Sequence, residues 1–408
     1  MERLQKGIKV LLVFAGLFTM VSSCSGNPAI EVIIPAEEEA DKDRGDLSGW
    51  GKSLGVNYNE QLQFIDFNNL EKTNTEWVRG FVDFFQLFDK PGTLHTDKRI
   101  LNYLSLKEHG YRTILNIKWN FKGRGEGLPN VDSEVLEAYL SFLENLLEKV
   151  WHHTDIIVVG NEPFIETLAD EKDQRLVDFY IIVARAVERF RDLHPDWYVP
   201  IFVGAFNNLY DPVWRTEAVD SLMEFVQSDP GISGIDLHIH HSEMQQMKDA
   251  LHYASSKISD DQKILITEFS LMKHWKAQLT NNIPESFAIQ YQLRAEMKNY
   301  QYIDFALKNP RTANEWFAFM QTSTWFESRK HYLKEAFSLM TNDPKFLVAS
   351  YAIRQSYPIG KDFTSTTDPW VLNGLFANRT IRQDAGTGQD QLNYSFIDDF
   401  ISIQNYRK

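Results

Sequence analysis

The sequence holds a single cysteine, Cys24, so no disulfide can form within the chain. It lacks any dense run of lysine and arginine beyond its first nine residues, and its formal net charge is −14 with a pI near 5.3. The electrostatic footprint of a protein that grips phosphate backbones is therefore missing, and nucleic acid is not an expected partner. No short internal repeat is present, and the first strand-to-helix turn carries no glycine fingerprint for a dinucleotide. What the 408 residues do hold is apolar bulk: 43% are hydrophobic and 13% aromatic, enough to fill a sizeable core.

The N-terminus reads as a targeting segment. "MERLQKGIK" is a short basic region, and "VLLVFAGLFTMV" is an apolar run below the ~20 residues of a spanning helix. "SSC" then brings small residues up to Cys24. "VSSC" resembles the lipobox of bacterial lipoproteins, which implies cleavage before Cys24 and a lipid on its thiol. Loss of residues 1–23 would remove Glu2, Arg3, Lys6 and Lys9 and leave a net charge of −16. An ordinary signal peptide or a single membrane anchor is the alternative. Residues 24–48, Pro-containing and then acidic, read as a solvated tether. The resemblance implies a lipid anchor in the bacterial cell envelope, with the outer membrane expected and either face of it open.

From about residue 50 two apolar periodicities alternate. Short β-rich runs occur at 52–59, 75–84, 111–120, 154–163, 199–208, 234–242, 263–271 and 316–326. Several are nearly continuous in Val, Ile, Leu and Phe, as parallel strands covered on both faces should be. Between them lie helical patterns, the clearest at 133–153 and 173–193, the first behind a Ser133 or Asp132 cap. Eight β-then-α units predict an α/β fold, a (β/α)8 TIM barrel forming one catalytic domain over 49–408. A doubly wound open sheet is the rival. Residues 327–371 are expected to be an insertion after the eighth strand that walls one side of the cleft.

In such barrels chemistry gathers at the C-terminal ends of the strands. "DIIVVGNEPF" ends the fourth apolar run in Asn161 and Glu162, and "KILITEFSL" ends the seventh in Glu268. Strands four and seven lie across the ring from one another, so both side chains can converge over its mouth. Two glutamates about 5 to 5.5 Å apart are what a retaining glycosidase needs, one as nucleophile and one as acid and then base.

With "GNEP" after strand four and "TEFS" after strand seven, the region 50–408 resembles glycoside hydrolase clan A, the retaining (β/α)8 enzymes. The resemblance implies Glu162 as acid/base, Glu268 as nucleophile and Asn161 as the amide on the sugar 2-hydroxyl. It implies that Arg79, in "WVRGF" on strand two, hydrogen-bonds the nucleophile and keeps it ionised, as an opposite charge should. It also implies that Trp325, in "TSTWFES", lies under the sugar. A β-glycan substrate and no metal or organic cofactor follow from the same likeness. "VLNGLFANRTIRQ" resembles the Gly-Leu-Phe segment before the last helix in several clan families.

On strand six, "DLHIHHS" sets His238 and His240 on one face by the period of two. The clan often has His-x-Tyr there, so this chain departs from it. His-x-His on a barrel strand can also ligate a metal, as in barrel metallohydrolases, though those carry it on strand one. A glycan-binding barrel without catalysis is the other alternative. Trp119, Phe164, Trp214 and Trp275 follow strands three, four, five and seven and are candidates to line subsites or to pack as ordinary aromatics. Asn116, Asn120 and Asp83 are polar candidates at strand ends. To act as an acid near neutral pH, Glu162 is expected to have a raised pKa, through the apolar "IIVV" behind it and the charge of Glu268.

Overall fold

The computed structural model describes residues 47–406. The expected signal segment, Cys24 and nearly all of the expected tether lie outside those residues. Eight parallel strands close into a barrel in sequence order: β1 Ser53–Asn57, β2 Trp77–Asp83, β3 Arg112–Lys118, β4 Ile156–Val159, β5 Ile201–Asn207, β6 Gly234–His240, β7 Lys263–Ser270 and β8 Phe346–Ala352. This is the (β/α)8 fold expected from the alternating periodicities.

The barrel has two apolar layers, separated by strand parity. Val78, Val82, Leu115, Ile117, Ile157, Val159, Ile201 and Val203 point outward into the helix layer. Trp77, Ile114, Ile156, Val158, Phe202 and Leu265 fill the interior at the N-terminal end. Moving two residues along each strand keeps the same face, and there the interior turns polar: Arg79 follows Trp77, Asn116 follows Ile114, and Thr267 follows Leu265. All three are buried. The polar layer therefore rests on an apolar plug.

The helices obey their sequence signals. Glu134–Val150 buries Leu136, Leu143, Leu146, Leu147 and Val150, and Ser133 caps it by accepting from the Leu136 amide. Gln174–Leu193 starts behind the Asp173 carboxylate in the same way. No described helix is long and apolar enough to cross a membrane.

The eighth strand is not where the sequence suggested. "WFAFMQTSTWF" lies in two helices, Ala313–Thr322 and Thr324–Glu327, and β8 is the shorter "FLVASYA". Trp316, Phe319 and Met320 are buried at three- and four-residue spacing on the first helix and Phe326 on the second, a pattern that a short apolar run fits as readily as a strand's. The long excursion thus precedes β8, over 271–345, instead of following it as a 327–371 insertion. Part of that expected insertion does border the site, through Ser356 and Trp370.

Candidate active site

The end of β4 is shaped by Gly160, whose φ is +118°. A Cβ there would run into the Gly204 carbonyl of β5 and the Tyr180 ring, so only glycine lets the two strands meet so closely. The turn that follows delivers Asn161 and then Glu162, and Pro163 opens a short helix, Pro163–Glu166, where a missing N–H costs nothing. Across the ring, Glu268 sits near the end of β7, in register with His238 of β6. Glu162 and Glu268 line one cavity at the C-terminal mouth, together with Asn57, Asn59, Lys118, Asn161, Trp370 and Asn373.

Arg79 organises the floor of that cavity and is fully buried. Its Nη1 donates to Glu268 Oε1 at 2.8 Å and to Asn57 Oδ1 at 3.1 Å. Its Nη2 donates to Asn161 Oδ1 at 2.7 Å and its Nε to Asn116 Oδ1 at 2.9 Å. One rigid fork thus fixes the nucleophile candidate and three amides at once. Burial alone pushes the Glu268 carboxyl up, but the nearby His238, His240 and Arg79 more than offset it and hold it well below the usual carboxylate range.

Glu162 is held differently. Its Oε1 accepts from Asn207 Nδ2 at 2.7 Å and faces His238 Nδ1 at 3.0 Å. Two contacts on the other side of that ring bear on its tautomer. Thr267 Oγ1 donates to Asp236 Oδ2 at 2.6 Å, so its single hydrogen is committed. At 3.1 Å from His238 Nε2 the same hydroxyl can only accept, which favours a hydrogen on Nε2, while Arg79 Nη2, able only to donate, stands 3.4 Å from that nitrogen. One further proton is then shared between Nδ1 and Glu162. Burial pushes Glu162 up, but the hydrogen bond and charge of His238 outweigh it and hold the carboxyl below its usual value. Burial pushes His238 down, while Glu268 and Glu162 raise it above an ordinary imidazole. The expected rise of Glu162 itself is thus replaced by a glutamate and imidazole pair with its proton on the imidazole side.

The structure brings together Glu162, Glu268, Asn161, Arg79, His238 and His240. His240 Nε2 lies 3.7 Å from Glu268 Oε2, and its ring packs edge-on against Trp370 at 4.7 Å. Asn116 is one layer below the cavity, bridging Arg79 and Asp236 Oδ2, the latter at 2.9 Å. Trp119 is a correction: it is fully buried and stacks on Phe84 at 4.0 Å in the helix layer. Parity explains it, since Lys118, two residues after Asn116, takes the cavity side. Trp325 is a second correction, because its helical turn leaves it half-buried outside the cavity with its carbonyl accepting from His274 at 3.0 Å. Trp275 and Phe164 are buried core aromatics, and Trp214 sits in a turn after β5. Asn120 and Asp83 cap short helices.

Several site residues were not anticipated: Asn57, Asn59, Lys118, Glu166, Asn207, Asp236, Thr267 and Trp370. Asn57, Lys118 and Asn207 end their strands, so strand position marks them as surely as it marks Glu162. Trp370 belongs to a 3-10 turn, Trp370–Leu372, in a segment without periodicity, and nothing local singles it out.

Glu162, His238 and His240 offer possible metal ligand atoms within 4.8 Å of one another. Donors sharing a zinc at 2.0–2.1 Å in a tetrahedron stand about 3.3 Å apart. His238 Nδ1 faces Glu162 Oε1 at 3.0 Å and its Nε2 faces Thr267 Oγ1 at 3.1 Å, so both ring nitrogens are already engaged within the protein.

No family model matches the chain, and no curated protein matches it by sequence. Solved structures share its fold. A beta-glucosidase from Exiguobacterium marinum matches with a TM-score of 0.51 at 10% identity, covering 88% of this chain and 98% of that one. Virulence factor SghA from Agrobacterium tumefaciens matches with a TM-score of 0.52 at 9% identity, covering 89% and 99%. Identities this low establish the barrel alone.

Proposed function

We propose that the protein is a retaining glycoside hydrolase of β-linked glycans, held to the bacterial cell envelope by a lipid on Cys24. The observation that carries this is the convergence of Glu162 and Glu268 on one cavity, the first paired with a proton-bearing imidazole and the second with a buried guanidinium. Glu268 is thereby kept ionised, while Glu162, also held below its usual value, has a proton beside it on His238. Glu268, ionised and fixed by Arg79, attacks the anomeric carbon; its C–O bond forms as the glycosidic C–O bond breaks. The leaving oxygen takes the proton of the Glu162 and His238 pair, delivered through the Glu162 carboxyl. Water then attacks the glycosyl ester, returns a proton to that pair and frees Glu268. The lining amides Asn57, Asn59, Asn161 and Asn373, together with Trp370, suit a ligand with many hydroxyls and an apolar C–H face.

A panel of 4-nitrophenyl β-glycosides and of β-glucans, mannans, xylans and galactans, followed by product chromatography, tests the reading. At least one should be cleaved with retention. Glu268→Ala should abolish that turnover, and azide should then yield a product of inverted configuration. Cleavage by Glu268→Ala at the wild-type rate contradicts the role. The anchor is tested separately: labelled palmitate should enter the wild-type protein and not Cys24→Ser, and an unlabelled wild type refutes it.

A further inference from the structure

Behind Asn161 stands a carboxyl that the double displacement does not use. Glu166 closes the short helix after Glu162 and is 4% exposed. Its Oε1 accepts from Asn161 Nδ2 at 2.8 Å, and its Oε2 is buried with no hydrogen-bond partner among the described residues. The nearest cation, Lys118 Nζ, is 3.8 Å from Oε1 and is shared with Glu60 at 3.9 Å. A buried carboxyl so weakly compensated is costly to keep, and an apolar residue of the same shape would be cheaper for the fold. What it does hold is an amide orientation. Arg79 can only donate, so it takes Asn161 Oδ1; Glu166 takes one of the two Nδ2 hydrogens. The second Nδ2 hydrogen is left for the cavity that Asn161 lines.

We propose that Glu166 is a positioning residue, which locks the Asn161 amide so that its remaining N–H is aimed at the hydroxyl next to the anomeric carbon of a bound sugar. The location fits. Arg79 bridges Asn161 to Glu268 through its two terminal nitrogens, so the amide stands beside the atom that attacks the anomeric carbon. The nearest sugar hydroxyl to that carbon is the one on C2. Burial raises the Glu166 carboxyl to about 7, with Lys118 opposing and the charge of Glu162 adding to the rise. Tyr180, also buried, feels its charge in turn. In either protonation state Oε1 still accepts from Asn161.

This inference rests on the glycosidase reading, and its test separates the two. The probes are a 4-nitrophenyl β-glycoside that the wild type cleaves and its 2-deoxy analogue. Glu166→Met, which keeps the volume and removes the acceptor, should lower kcat on the 2-hydroxy substrate by up to about 100-fold, the scale of a misplaced contact. Its kcat on the 2-deoxy substrate should barely change, and Glu166→Gln, whose carbonyl can accept from Asn161, should restore the 2-hydroxy rate. Equal losses on both substrates, or none on either, overturn the inference while leaving the glycosidase standing. Should Glu166→Met fail to fold, Glu166→Asp takes its place: withdrawal of the carboxyl by one methylene should lower the same ratio, and an unchanged ratio overturns the inference. A wild type that cleaves no glycoside removes the parent reading and this one with it.

Discussion

Replacing Arg79 with methionine removes one of the three groups that keep Glu268 ionised, beside His238 and His240. The guanidinium nitrogen lies 2.8 Å from the carboxylate oxygen, and Arg79 has no exposed surface. At an effective dielectric of about 20 the attraction at that distance is about 6 kcal/mol. His238 at 3.8 Å and His240 at 3.7 Å from Glu268 remain and make up part of the loss, so the Glu268 pKa rises by less than the whole of that attraction. The sign follows directly: a cation favours the anion, its removal raises the Glu268 pKa, and the acidic limb of kcat/KM moves to higher pH. The assay is that profile on a 4-nitrophenyl glycoside, with Arg79→Lys as control. Lysine keeps the charge but not the fork, so its limb should stay near the wild type while kcat falls as Asn116 and Asn161 lose their donor. A folded Arg79→Met protein whose acidic limb coincides with the wild type would refute the electrostatic argument.

Glu162→Gln should spare substrates with a dinitrophenolate leaving group and cut cleavage of natural glycosides by about 10²–10⁴, the usual share of general acid catalysis; equal losses on both would assign Glu162 another role. Because the alkaline limb belongs to the Glu162 and His238 pair, it should vanish in this variant, as a pH profile of glycosylation will show. Trp370→Ala should raise KM by up to about tenfold, in keeping with the 0.5–1.5 kcal/mol of an aromatic contact. Trp325→Ala, outside the cavity, should leave KM as it is, and a reversed order between the two tryptophans would contradict the placement of the sugar.

Strands one to seven and the two glutamates were legible because each strand is a short apolar run that ends abruptly in a polar residue. The eighth was not. "WFAFMQTSTWF" offers apolar residues at both helical and extended spacing, whereas "FLVASYA" fell inside the expected 327–371 insertion despite Asn342, Asp343 and Pro344 just before it. Those three breakers were the overlooked signal. The misplaced strand then carried Trp325 into the site and left Trp370 out of it. Trp119 failed for a different reason: it is adjacent to a strand end but of the wrong parity, while Lys118 has the right one. The protonation of Glu162 could not be read from its own strand at all, because it depends on a chain from His238 through Thr267 to Asp236 that joins β6 and β7.

The central claim is that Glu268 forms a covalent bond to the sugar. A 2-deoxy-2-fluoro-β-glycoside with a dinitrophenolate leaving group, of whichever sugar the panel shows to be cleaved, should inactivate the protein with release of one equivalent of phenolate. Mass spectrometry of the digested protein should then find the fluorosugar on the peptide containing Glu268 and leave Glu162 unmodified. Continued hydrolysis of the parent substrate with no adduct, or an adduct on any residue other than Glu268, would contradict the account.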